Sequence, residues 1–124
     1  MPSTFMLAGA LAGFVGVAFG AFGAHGLRGR LSPEMLAVFE TGVRYQMYHA
    51  LALILTAAIM MTGRDVVHGR ALAVAGWTFI AGIVLFSGSL YLLAVTGITA
   101  LGAITPLGGV AFLVGWACLA IAML

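Results

Sequence analysis

The sequence predicts an all-α integral membrane protein, a four-helix bundle with a short interfacial helical segment before its second span. The last 54 residues, from Ala71 to Leu124, contain no charged side chain. A single helix of that length would run about 80 Å, whereas the hydrocarbon core of a bilayer is about 30 Å thick. The stretch therefore folds back once. Hydrophobic residues make up 64% of the chain and charged residues 6%, a composition that a water-exposed surface does not carry.

The first predicted span covers residues 5–24, which are uncharged. The N-terminus is apolar but lacks the basic segment of a signal peptide, so we interpret it as a retained first helix. Ser32-Pro33-Glu34 then has the features of a helix start: a capping hydroxyl, a proline suited to the first turn and an acid favoured by the helix dipole. The early part of this helix is amphipathic, which predicts the interfacial segment. Glu40 and Arg44 have the i, i+4 spacing of a local ion pair. Gly42 is predicted to be a bend.

The second predicted span covers residues 45–62, and the charged hairpin 63–70 follows it. The third covers residues 71–96. The fourth covers residues 106–124, with Thr105 as its cap and Pro106 in its first turn. These four spans form one domain, 1–124. Both termini then share a side with the hairpin, but the arginines number three on one side and two on the other, so the orientation stays open.

Small residues recur along the first and fourth helices and predict close helix packing. In the first helix, small residues recur every four positions and form a stripe, with two further glycines beside it. In the fourth helix, successive small residues are alternately three and four positions apart. This packing either closes the bundle or forms an interface with another copy or subunit. The first-helix stripe is Ala8, Ala12, Gly16, Gly20 and Ala24, beside Gly9 and Gly13, and the fourth-helix stripe is Gly108, Ala111, Gly115, Cys118 and Ala122.

Polar side chains are costly at membrane depth, so their clustering is the best indication of a site. We interpret His49 as a neutral imidazole bonded to a neighbouring hydroxyl or carbonyl, with His25 capping the first helix and His68 solvated in the hairpin. His25 and His49 are both expected at the membrane edge, which disfavours a haem or metal held between them. Every charged residue falls in a connection or at a helix end, which disfavours a coupled transporter. The predicted polar cluster is His25, Glu40, Thr41, Arg44, Tyr45, Tyr48, His49, Ser87, Ser89 and Tyr91.

Four runs, in order and covering nearly the whole chain, resemble one family: GAFGAHGL (20–27), FETGVRYQMYHAL (39–51), LFSGSLYLLAVTG (85–97) and ITPLGGVAFLVGW (104–116). The sequence is similar to the domain of unknown function 423, which includes the eukaryotic transmembrane protein 256. The resemblance implies a small four-helix protein of the bacterial inner membrane, or of mitochondria in eukaryotic relatives. It supplies no catalytic residues, and its runs coincide with the polar cluster together with Gln46, Thr105 and Pro106.

The sequence favours a non-enzymatic membrane protein that packs against itself or other membrane subunits. A second hypothesis is permeation of a small molecule or ion, and a third is binding of a lipophilic cofactor, such as a quinone or haem, near His49. No metal-binding or haem-attachment spacing accompanies the histidines, so no metal and no cofactor is predicted. The five arginines are scattered rather than gathered in a stripe, which makes nucleic acid an unsuitable partner and leaves the lipid bilayer as the expected one.

Overall fold

The computed structural model describes residues 1–63 and 69–124, and most of these are helical. A π-helical turn, Ile83–Ser87, joins the helices Gly69–Gly82 and Gly88–Thr96, so that 69–96 form one continuous helix. A 3₁₀ turn, Thr99–Ala103, leads into the last helix, Thr105–Ala122. The prediction of an all-α membrane bundle is confirmed. The predictions for residues 64–68, including His68 and most of the hairpin, lie outside the described residues. The α-helices are α1 (Pro2–His25), α2 (Pro33–Met61), α3 (Gly69–Gly82), α4 (Gly88–Thr96) and α5 (Thr105–Ala122).

Within residues 1–63 and 69–124, three helices are long and apolar enough to cross a membrane: Pro2–His25, Gly69–Thr96 and Thr99–Ala122. Helix α2 is longer than any of these, at 29 residues, but its central turns carry tyrosine, glutamine and histidine. The most extensive packing is between α1 and α2 and between α3 and α5, and α2 also contacts α3, the π turn and α4. The most polar helix therefore contacts several others and keeps an exposed face that includes Tyr48 and Leu51.

Helix α1 packs on α2 through glycines spaced seven residues apart. Gly9, Gly16 and Gly23 are buried, and a Cβ atom at Gly9 would lie 2.8 Å from the carbonyl oxygen of Ala50. Gly20 also faces α2, since a Cβ there would lie 3.3 Å from the side chain of Val43. A seven-residue repeat keeps a seam facing its partner, whereas a strict four-residue repeat drifts around the helix.

The stripe predicted at four-residue steps is therefore wrong at its end, because Ala24 is exposed. Gly13 is half-buried, and an added Cβ there would meet no atom within 4 Å. It lies outside the close contact between α1 and α2.

The stripe on α5 faces the continuous helix 69–96. Gly108, Gly115 and Ala122 are buried, again seven residues apart, while Ala111 and Cys118 are half-buried beside them. A Cβ atom at Gly108 would collide with the backbone of Phe86, and one at Gly115 would lie 2.5 Å from the ring of Phe79. Both predicted stripes thus pack within the bundle.

The start of α2 follows the prediction, since the Ser32 hydroxyl accepts a hydrogen bond from the Met35 amide at 3.2 Å and proline occupies the first turn. Helix α2 then continues through Gly42, so the predicted interfacial segment and second span form one helix. Gly42 serves close packing instead of a bend, because a Cβ there would lie 2.8 Å from the ring of Tyr91. The capping prediction for Thr105 is wrong: Ile104 occupies the cap position of α5 without a side-chain bond.

Candidate functional site

The predicted polar residues form separate connections between helices instead of one network. His49 bonds across to α5, Gln46 connects α1, α2 and α4, Ser87 bonds from the π turn to α2, and Ser89 bonds to the start of α5. In the described part of the chain, every buried side-chain nitrogen and oxygen has a hydrogen-bond partner. The buried residues predicted as one cluster thus form separate hydrogen bonds, each between neighbouring helices.

His49 joins α2 to α5 through both of its ring nitrogens. Its Nδ1 lies 2.6 Å from the carbonyl oxygen of Tyr45, and its Nε2 accepts a hydrogen bond of 3.0 Å from the indole Nε1 of Trp116. A carbonyl only accepts and an indole N–H only donates, so the neutral Nδ1–H tautomer satisfies both contacts. The ring also stacks on Phe112, with centroids 3.5 Å apart and planes 7° apart.

His49 lies near mid-height in the bundle, not at the membrane edge as expected. Its neighbour Ala50 packs against Gly9, and Gln46 one turn earlier bonds to Ala12, so this part of α2 faces the middle of α1. Its contacts on α5 are two to three turns from the start of that helix. The expectation failed because it began the second span at Tyr45, whereas α2 already packs on α1 at Phe39, whose ring would lie 3.0 Å from a Cβ atom at Gly23.

Gln46 is the polar residue that the predicted cluster omitted. It is 4% exposed, its Nε2 donates to the carbonyl of Ala12 at 2.8 Å, and its Oε1 accepts from the hydroxyl of Tyr91 at 2.6 Å. One amide side chain therefore connects α1, α2 and α4. Its signal in the sequence was its place beside Tyr45, within the run that carries the family resemblance.

The two serines bond from the region of the π turn. Ser87 is fully buried and its hydroxyl donates to the carbonyl of Gly42 at 2.7 Å. The hydroxyls of Ser89 and Thr105 lie 2.6 Å apart, so this pair connects α4 to the start of α5. A π turn displaces the following residues around the helix axis and is frequent at functional sites. Here it directs Ser87 toward α2 and Phe86 toward α5.

The remaining predicted residues lie at the surface. His25 is exposed at the end of α1, and the hydroxyl of Thr41 donates to the carbonyl of Ala37 at 2.9 Å. Arg44 and Glu40 approach to 3.9 Å with side chains that are 63% and 48% exposed. Such an exposed pair contributes little to stability, so Arg44 retains an accessible positive charge.

A groove of about 650 Å³ lies between α2 and α5 and opens on the outer surface of the bundle. His49 forms part of its floor, and Leu113, which is 70% exposed, lies on its rim. Between Pro106 and Trp116 it follows α5 for about 15 Å, about half the thickness of the hydrocarbon core. The lining residues are Tyr45, Tyr48, His49, Phe86, Pro106, Gly109, Val110, Phe112, Leu113 and Trp116.

The polar atoms of the groove differ in their availability. Both nitrogens of His49 and the indole nitrogen of Trp116 are engaged with each other or with the backbone. The hydroxyls of Tyr45 and Tyr48 have no hydrogen-bond partner among residues 1–63 and 69–124. In the same two stretches, no three histidine, cysteine or acidic residues are grouped to hold a metal ion. The groove can therefore offer a ligand aromatic faces and two hydroxyls, but no free imidazole nitrogen.

Comparison with known protein families gives one match: residues 19–109 fit the family described as protein of unknown function DUF423. The chain belongs to this family. The resemblance seen in the sequence is thereby confirmed. The matched residues contain all of α2 and the π turn, together with the start of α5 up to Gly109, and so six of the ten residues that line the groove. The other four, Val110, Phe112, Leu113 and Trp116, lie beyond them.

Three relatives are named UPF0382 membrane proteins. The one from Staphylococcus aureus strain USA300 is 50% identical over 118 residues, which cover 95% of this chain and 93% of the relative. YwdK of Bacillus subtilis strain 168 is 50% identical over 74 residues, 59% of this chain and 57% of the relative. A relative from Staphylococcus haemolyticus is 50% identical over 58 residues, 47% of this chain and 48% of the relative.

The chain thus matches about half the length of the latter two relatives and nearly all of the first. No solved structure matches it. The apolar helices and the names of the relatives agree that this DUF423 chain is an integral membrane protein.

Proposed function

We propose that this protein is a non-enzymatic protein of the bacterial plasma membrane that binds a lipophilic molecule in the groove between α2 and α5. The observation that carries the proposal is the groove itself, which is open on the surface that faces lipid and is lined mainly by rings. Apolar concave sites with a few polar groups are the usual form of small-molecule sites. Aromatic faces provide large contact areas for an apolar ligand.

The chemistry of the floor supports binding rather than catalysis. A general base or a haem ligand needs a free nitrogen lone pair, and in His49 the carbonyl of Tyr45 and the indole of Trp116 engage both nitrogens. The same contacts fix the ring against Phe112. In this arrangement His49 supplies a flat, immobile surface at the bottom of the groove.

The two other hypotheses have less support from the geometry. The glycines that suggested a docking face, such as Gly9 and Gly108, are occupied by packing within the bundle. The polar side chains that suggested a permeation path, such as Gln46 and Ser87, bond to neighbouring helices instead of lining a common space. Neither set of residues needs a second subunit or an ion to explain it.

Native mass spectrometry of the protein released from its own membrane tests the proposal. Gly109→Leu adds a branched side chain to the lining of the groove, and its Cβ would be in ordinary contact, 3.9 Å from the ring of Phe86. Gly13→Leu adds the same side chain to α1, where a Cβ has open space. We expect a small lipophilic molecule to remain bound to the wild type and to Gly13→Leu and to be lost from Gly109→Leu. Equal retention by all three proteins, or a retained polypeptide instead of a small molecule, would contradict the proposal.

A further inference from the structure

We propose that the molecule held in the groove is an anionic glycerophospholipid of the surrounding bilayer, with an acyl chain in the groove and its phosphate at Arg44. This inference rests on the proposed function and specifies its ligand. It combines the depth of the groove, the position of Arg44 relative to the groove and the surplus of positive charge on that side of the protein.

The groove has the length and position of one leaflet. Pro106, in the first turn of α5, marks its shallow end, and Trp116, near mid-height, marks its deep end. The distance between them along the helix is about 15 Å, which corresponds to the hydrocarbon thickness of one leaflet. An acyl chain that enters beside Pro106 can therefore lie along the groove and end against His49 and Trp116.

Arg44 lies beside the groove, about 7.5 Å from His49 along α2, on the side of His49 toward the shallow end. It precedes Tyr45 and is four residues before Tyr48, so it shares a helix face with a residue that lines the groove. Along α2 it is one turn, about 6 Å, closer than Tyr48 to the membrane side on which Pro106 also lies. A long arginine side chain at this depth extends toward the headgroup region while its stem lies against lipid.

The charge around this end favours an anionic headgroup. From His25 to Arg44 the chain carries three arginines and two glutamates. Glu40 is the acid nearest to Arg44, and its contact of 3.9 Å is exposed, so a phosphate can compete for the guanidinium. The hydroxyls of Tyr45 and Tyr48 can donate to ester or phosphate oxygens. A zwitterionic lipid would place a choline or ethanolamine cation near the same arginine and bind more weakly.

Quenching of Trp116 by brominated lipids provides the test. In the variant Trp77→Phe, Trp116 is the remaining tryptophan. The protein is placed in phosphatidylcholine vesicles that contain a small fraction of either phosphatidylglycerol or phosphatidylcholine with identical brominated chains. We expect the anionic lipid to reach Trp116 with about fivefold higher relative affinity, the effect of one arginine near the headgroups.

Three further variants in this background separate the inference from the proposed function. Arg44→Gln should abolish the preference, while Arg30→Gln, the same charge change on the same side of the membrane, should keep it. Gly109→Leu should reduce quenching by both lipids. The absence of a preference for the anionic lipid in the Trp77→Phe protein would overturn the assignment of this lipid, but not the binding groove. An equal loss of the preference in both arginine variants would do the same. Unchanged quenching in Gly109→Leu, with the fold verified by circular dichroism, would overturn the binding groove itself.

Discussion

Adjacent glycines at the start of α5 provide the strictest test of the packing. Gly108 is buried against the continuous helix 69–96, and a Cβ atom there would lie 2.7 Å from the Cα and the Cβ of Phe86. These are backbone-proximal atoms that no rotamer change can move. Gly108→Ala must therefore push α5 away from the π turn, which typically costs about 1–3 kcal/mol.

Gly109→Ala makes the same chemical change one residue later. Its Cβ would meet only ring atoms of Phe86, at 3.9 and 4.0 Å, which is ordinary van der Waals contact. Replacing a helical glycine by alanine also favours the helix by about 1 kcal/mol in soluble hosts. We expect Gly109→Ala to be neutral or slightly stabilising. The gain in helix propensity is common to both variants, so they should differ by the cost of the clash, about 1–3 kcal/mol in the free energy of unfolding.

The measurement is reversible unfolding of both variants in mixed micelles, by titration with a denaturing detergent and detection by circular dichroism. Activity is not needed, and each variant is the control for the other because composition and helix are the same. If Gly108→Ala and Gly109→Ala unfold at the same detergent fraction, α5 does not approach the π turn as closely as described, and the reasoning about this seam is refuted.

Two hydrogen bonds give further predictions, checked in the same unfolding titration. Trp116→Phe removes the donor to Nε2 of His49, and we expect a loss of about 0.6–1.7 kcal/mol, the range measured for hydrogen bonds within membranes; wild-type stability would show that this bond contributes nothing. Tyr91→Phe removes the donor to Gln46 and should cost about 0.6 kcal/mol. Tyr48→Phe, which removes an exposed hydroxyl, should have no effect, and equal losses in both tyrosine variants would contradict the assignment.

Features of local sequence predicted the helices well. Long uncharged runs, the Ser32-Pro33-Glu34 start and the proline in the first turn of α5 act over a few residues, so they can be interpreted without the fold. The π turn was missed because nothing in Ile83–Ser87 distinguishes it from an α-helix; its extra residue is accommodated where Ser87 bonds to Gly42. The helices can thus be predicted from local sequence, whereas the π turn depends on a contact with a neighbouring helix.

The candidate site was predicted only in part for a similar reason. His49 and Trp116 are 67 residues apart, and their contact depends on which helices are neighbours and on how each is rotated about its axis. Neither property is determined by hydropathy. Spacing brought His49 and Tyr45 onto one face of a helix, but it could not identify the indole opposite or the groove that the rings enclose.

The polarity of α2 has a structural explanation that changes where a function should be sought. Gln46 bonds to α1 and α4, His49 bonds to α5, and the carbonyl of Gly42 accepts from the π turn. These three polar groups of α2 thus hold different neighbours, which is what an otherwise apolar bundle needs to fix the positions of its helices. Because packing accounts for these residues, they give no reason to place a substrate among them. The accessible chemistry lies instead at the surface, where Tyr45 and Tyr48 line a groove that is about as long as one leaflet is thick.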